Sequence, residues 1–116
     1  MSIDLEAVES TLFTHLRLKG ALDLEWTGET STELRNLLVG GGRDAVVDLS
    51  GVEIMSSIAM GELVTCHRAM AKKGHRMVLM SPPEMVAMSL RLSGLTRVFT
   101  VVDSLAEAEA GFARAA

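Results

Sequence analysis

Short apolar runs of strand length alternate along this chain with amphipathic segments of helix length, and that alternation restricts the fold more than any other feature. The runs "DAVVDLS" (44–50) and "RMVLMS" (76–81) are bounded on their outer sides by turn residues, as buried strands are. Between them, about residues 58 to 73, Met60, Leu63, Val64, His67, Met70 and Ala71 fall along one helical stripe, and Gly74 ends the segment. A strand, a helix and a strand in that order require a crossover, so the two strands are expected to lie parallel.

The flanking segments extend the same logic. "TLFTHLRLKG" (11–20) alternates Leu12, Thr14, Leu16 and Leu18 against Phe13 and His15, a strand with one face more buried than the other, and Gly20 begins a short "ALD" return. "TGETSTELRNLLVGGG" (27–42) reads as a first helix, with a Thr30 to Glu33 capping box, Leu34, Leu37 and Leu38 at helical spacing, and glycines to stop it. "SPPEMVAMSLRLSG" (81–94) predicts a short third helix with Ser81 as N-cap, Glu84 completing the box and Gly94 as terminator. "RVFTVV" (97–102) predicts a last strand, and "DSLAEAEAGFARAA" (103–116) a terminal helix capped by Asp103 or Ser104. A length of 116 residues fits one domain. The expectation is a single α/β domain over 1–116, with four or five strands in a mainly parallel mixed sheet and about four helices.

Composition excludes several functions. With 48% hydrophobic residues the chain builds a real core, and a net charge of -4 argues against a nucleic-acid surface. The compact basic group "AKKGHR" reads as a solvated helix end. Cys66 is the one cysteine, so the chain forms no internal disulfide and a reducing compartment is expected. The N-terminus carries acids where a secretory signal carries positive charge, and no apolar run approaches the roughly 20 residues of a membrane span. A cytoplasmic protein without membrane insertion is expected.

Chemistry-bearing constellations are sparse. Cys66 and His67 are neighbours on a helix and so point about 100° apart, which suits structural residues better than a nucleophile and its base. His15, His67 and His75 complete no metal-ligand spacing. "VGGGRD" lacks the Gly-Lys-Ser/Thr end of a phosphate loop and lies between a helix and a strand, the reverse of the required order. No Ser, His and Asp set has hydrolase-like spacing, so a binding module without a cofactor is expected in place of an enzyme.

One stretch stands out. "GVEIMSSIAMG" (51–61) places Ser56 and Ser57 after the carboxyl end of a strand and at the start of a helix, where open α/β sheets keep their functional sites. A helix N-terminus satisfies a capping hydroxyl and also favours a phosphate. Capping and modification are both open to these serines on that ground alone.

The stretch from Val46 to Phe99, "VVDLSGVEIMSSIAMGELVTCHRAMAKKGHRMVLMSPPEMVAMSLRLSGLTRVF", resembles the STAS domain of anti-sigma factor antagonists. "LRLKGALD" is similar to that family's opening strand and its G-x-L-D turn, and the final strand and helix match in order. Against the family pattern D-L-S-x-V-x-F-[IM]-D-S-[ST]-G-[LM], the chain supplies Asp48, Leu49, Ser50, Val52, Met55, Ser57 and Met60. Ser57 falls on the phosphorylatable serine. Ser56, Ile58 and Ala59 stand where the family usually has Asp, Ser or Thr, and Gly.

The resemblance implies a STAS-like fold and a bacterial partner-switching regulator of transcription. Unmodified, such a protein binds an anti-sigma factor with serine-kinase activity; phosphorylated, it lets go. It also implies a partner surface around Ser57 that takes in Ser56, Ala59 and, in the G-x-L-D turn, Asp23. Met55, Ile58 and Met60 suit either an apolar contact there or plain core packing, and Glu53, in the loop before Ser57, either a partner contact or a solvated carboxylate. The departures at Ser56, Ile58 and Ala59 imply a second reading, a phosphorylation-independent scaffold or subunit of a stress-signalling or lipid-transport assembly. The oligomeric state is open in either reading.

Overall fold

The computed structural model describes residues 4–8, 13–22 and 28–115. Strand β1 (Asp4–Val8) pairs antiparallel with β2 (Thr14–Leu22). Helix α1 (Gly28–Leu38) leads to β3 (Ala45–Met55), α2 (Ser57–Lys72) to β4 (Met77–Met80), and α3 (Glu84–Leu92) to β5 (Thr100–Val102). Helix α4 (Leu105–Ala115) ends the chain. The sheet order is β1-β2-β3-β4-β5, with β2 to β5 all parallel. Because the strand order advances in one direction, same-handed crossovers put α1, α2 and α3 on one face. Leu34 and Leu38 of α1, Leu63 and Met70 of α2, and Val86 and Leu90 of α3 accordingly share one core with Leu16, Leu18, Val47 and Leu79 of the sheet. Helix α4 covers the other face, where Ala108 and Phe112 pack on Phe13, Val46, Val78 and Met80.

The α/β reading, the parallel order and the four helices are all present, and several local expectations are corrected. Strand β1 is an addition to the expected elements, although Asp4, Leu5, Glu6 and Ala7 alternate polar and apolar as a short strand does. Its register sets Asp4 opposite Lys19 and Glu6 opposite Arg17. Gly20 does not begin a return: β2 runs through it to Leu22 with Gly20 at φ 96°. Thr30 is the third residue of α1, so the expected Thr30–Glu33 capping box lies inside the helix. The buried stripe of α2 is Ala59, Met60, Leu63, Cys66 and Met70, rotated slightly from the expected one, with Ala71 exposed.

Ser81 does not cap α3. Proline restrains the residue before it from helical geometry, so Pro82 stays outside the helix and Pro83, at ψ 160°, is its N-cap. Ser81 instead takes a positive φ of 54°, held by its N–H on the Val102 carbonyl at 2.8 Å and its hydroxyl on the Asp103 carbonyl at 3.0 Å. The last strand is half its expected length, because Leu95–Arg97 forms a 3-10 turn whose Leu95 carbonyl accepts from the Val98 and Phe99 N–H groups. Phe99 is turned into the main core instead. Of the two candidate caps for α4, Ser104 is the one that accepts from the Glu107 N–H, at 3.2 Å. Among the described residues, no helix is long and apolar enough to cross a membrane.

Since Leu63 is wholly buried between α2 and the sheet, Leu63→Ala should cost about 2–5 kcal/mol in chemical denaturation. Leu92→Ala on the outer face of α3 should stay within about 0.5 kcal/mol in dilute solution. Equal costs at the two positions would contradict this packing.

Candidate functional site

The candidate site lies where β3 passes into α2, and its shape begins with two irregularities in β3. Arg17 pairs with Asp48 and Lys19 with Gly51, then Gly20 with Val52 and Ala21 with Ile54, so β3 carries one extra residue in each interval. Bulges of this kind bend a strand and re-aim its side chains. At the first, the Ser50 N–H donates to Asp48 Oδ1 at 2.9 Å, and Arg17 Nε donates to Asp48 Oδ2 at 3.3 Å. Gly51 follows, where a Cβ would meet the Lys19 Cγ at 2.8 Å. At the second, Glu53 is the residue without a β2 partner in the register. The alternation of faces changes phase there: Val52 is buried, Glu53 and Ile54 face solvent, and Met55 is buried again.

The strand ends in a tightly tied residue. The Ser56 N–H donates to the Leu22 carbonyl at 2.7 Å, and the Ser56 carbonyl accepts from the Met60 N–H at 3.0 Å. Its Oγ accepts from the Ala59 N–H at 3.2 Å, with φ −77° and ψ 165°, so Ser56 is the N-cap of α2. Ser57 is the first helical residue, exposed, and its hydroxyl has no hydrogen-bond partner among the described residues. The first turn of α2 contains no acidic residue, so the positive end of the helix is not neutralised by its own sequence. The nearest acid on the helix, Glu62, is engaged with Arg35 of α1.

The expected partner-binding residues divide into two sets. Ile58 is 62% exposed, and Glu53, Ser57 and part of Ser56 reach the same surface. Met55, Ala59 and Met60 do not: all three are buried in the main core. The Ser56 cap sets positions 59 and 60 on the inner side of the first turn of α2, and the bulge at Glu53 turns Met55 inward at the end of β3. The Ala59 methyl, which the sequence places where a partner approaches, lies inside the fold. Asp23 lies outside the described residues. Ile54 was missed, and it is 51% exposed. Sequence alternation puts it on the same face as Val52, and the bulge at Glu53 turns it out.

Other titratable groups have structural settings. Cys66 is buried, and that burial, reinforced by Glu62, pushes its thiol up to about 11, so it stays protonated at neutral pH. The ring of His67 packs edge-on against Phe99 with centroids 5.3 Å apart. No three His, Cys, Asp or Glu side chains among the described residues converge as metal ligands. Burial pushes the Asp48 carboxyl up, but hydrogen bonds from Ser50 and the neighbouring Arg17 outweigh it and hold it below its ordinary 3.8.

Comparison with known proteins follows the same outline. The family model for the STAS domain matches residues 2–108. An anti-sigma factor antagonist from Mycobacterium paratuberculosis superposes with a TM-score of 0.81 at 19% identity, over 95% of this chain and 93% of the other. The anti-sigma factor antagonist SpoIIAA in its unphosphorylated form matches at 0.71 and 19% identity, over 99% and 98% of the two chains. The Bacillus cell fate determinant SpoIIAA in the phosphorylated form matches at 0.65 and 19%, over 96% and 99%. At these identities the structures share the fold.

Two consequences are measurable. Ser56→Ala should destabilise the protein by about 0.5–2 kcal/mol through loss of the cap, whereas Ser57→Ala should be close to neutral in the same denaturation experiment. Because the Asp48 carboxyl is depressed in the folded state, its contribution to stability is present above its ordinary pKa and is lost as pH falls through the folded value. Asp48→Asn should therefore flatten the acid limb of the stability profile below about pH 4. An unchanged acid limb would contradict the assignment.

Proposed function

As this chain belongs to the STAS domain family, we propose that it is an anti-sigma factor antagonist acting by partner switching, with Ser57 as the hydroxyl that sets the switch. The observation that carries the proposal is the division of labour between adjacent serines. Ser56 does the capping, so Ser57 is exposed at a helix N-terminus with no structural bond to lose. A phosphate there adds about -1.5 to -2 charges at neutral pH and meets the positive end of α2. The fold tolerates the modification, and Ile54 and Ile58, the exposed apolar residues flanking Ser57 in sequence, provide a contact that the charge spoils.

The partner is an anti-sigma factor of the serine-kinase type, and the protein acts by binding, without turnover of its own, in the cytoplasm. The unmodified form docks through Ile58, Ile54, Glu53 and the Ser56–Ser57 turn, and Asp23 of the G-x-L-D turn is a further candidate contact. Ser56 stands in for the usual acid as an equally good N-cap, so the departure preserves the helix start while removing a carboxylate from beside the acceptor. That missing carboxylate favours the second reading, a scaffold in a stress-signalling or lipid-transport assembly that binds without being phosphorylated. SpoIIAA, which shares the fold, has been solved with and without phosphate.

Binding measured by titration calorimetry against the anti-sigma factor separates the readings. Ser57→Ala should bind like the wild type, and Ser57→Asp should bind at least about tenfold more weakly, a difference of about 1.4 kcal/mol. Both should keep the wild-type circular dichroism, because a carboxylate at a helix start gains roughly 0.3–1 kcal/mol from the dipole. Ser56→Asp should raise the rate at which the kinase modifies Ser57, read by mass spectrometry. Equal affinity of Ser57→Asp and wild type, with no phosphate on Ser57 after incubation with kinase and ATP, would establish the scaffold.

A further inference from the structure

Helix α3 presents opposite faces to two environments. Val86 and Leu90 are buried in the main core, whereas Met85, Met88 and Leu92 are 70%, 45% and 83% exposed. These three stand at spacings of three and four residues, which places them in one stripe on the outer side of the helix. Exposed apolar residues scattered singly need no explanation, but three large ones aligned on one short helix mark a contact surface. None of them belongs to the Ser57 site.

The polar residues beside the stripe indicate what covers it. Glu84 and Arg91 are seven residues apart, hence on the same flank, and they pair across the helix surface at 3.2 Å. The other flank is neutral: Ser89 donates its hydroxyl back to the Met85 carbonyl at 3.1 Å. We propose that this face is a self-association surface, covered by the same face of a second copy in an antiparallel two-fold pair. A two-fold axis beside Met88 sets Met88 against Met88 of the second copy and Met85 against its Leu92. The same axis brings each Glu84 to the other copy's Arg91. A two-fold contact demands a self-complementary patch, and this one is apolar on both sides of its centre with opposite charges at its two ends.

The size of the patch sets the strength. Nine residues of helix span about 14 Å, and three apolar side chains per copy fall well short of the roughly 800 Å² per partner of a standard stable interface. The pair is therefore weak and forms in about the 10 µM to 1 mM range. It is independent of phosphate at Ser57, so Ser57→Asp should associate like the wild type, and failure of the partner-switching reading leaves this one intact.

Sedimentation equilibrium over about 10 µM to 1 mM tests it. The wild-type mass should rise toward that of a dimer, and Leu92→Asp, at an exposed position, should remain a folded monomer. Glu84→Arg and Arg91→Glu should each associate several-fold more weakly alone, since each sets like charges against each other at both ends of the contact. Mixed in equal amounts, the two variants should recover association, because every reversed position again meets an opposite charge on the other chain. A wild type that stays monomeric throughout, a Leu92→Asp variant that still associates, or a mixture no better than its components would each overturn the proposal.

Discussion

Three hydrogen bonds converge on Ser56, and the carboxyl edge of the sheet is arranged around them. Its N–H closes on the Leu22 carbonyl, fixing the end of β3 to the end of β2. Its carbonyl and its Oγ accept the Met60 and Ala59 N–H groups, fixing the start of α2 to the same point. A helix whose first turn is tied in this way has little rotational freedom. Positions 59 and 60 must then face the core and positions 57 and 58 must face water, which is where the burial places them.

The bulges in β3 complete the surface that Ser56 anchors. An undisturbed strand would bury Ile54 with Val52, and the candidate contact would consist of Ile58 alone. The extra residue at Glu53 reverses the facing of everything after it, so Ile54 emerges while Met55 returns to the core. The energetic cost of exposing Ile54 makes sense if a partner covers it. The Asp48 carboxylate supports the earlier bulge by taking the Ser50 N–H that the ladder leaves over.

The parallel core was legible because β3 and β4 are buried on both faces and read as short continuous apolar runs, whereas α2 and α3 each bury one stripe at helical spacing. Sequence periodicity failed where an element was short or a turn set its boundary. Strand β1 has five residues, too few for the alternation of Asp4, Leu5, Glu6 and Ala7 to stand out. The start of α3 was misplaced because the Pro82–Pro83 pair moves the N-cap from Ser81 to Pro83, two residues further than the capping pattern suggests. At the site, the family resemblance singled out Ser57 as a candidate, but it could not assign the cap to Ser56 or the interior to Met55, Ala59 and Met60. The assignments in α2 depend on helical phase, which the Ser56 cap sets, and that of Met55 depends on the bulge at Glu53. Ile54 was illegible because the bulge at Glu53 that turns it outward carries no residue-type signature like the Gly51 and Asp48–Ser50 turn of the earlier bulge.

The central claim is that Ser56 serves the fold so that Ser57 can serve the partner. NMR titration of the isotopically labelled protein with the proposed anti-sigma factor partner, in the unmodified and Ser57-phosphorylated forms, tests that claim most directly. The account predicts perturbations at Ile54, Ser57 and Ile58 in the unmodified form, their disappearance after phosphorylation, and unchanged core resonances in both. Perturbations centred on α4, or equal perturbation of the two forms, would contradict it.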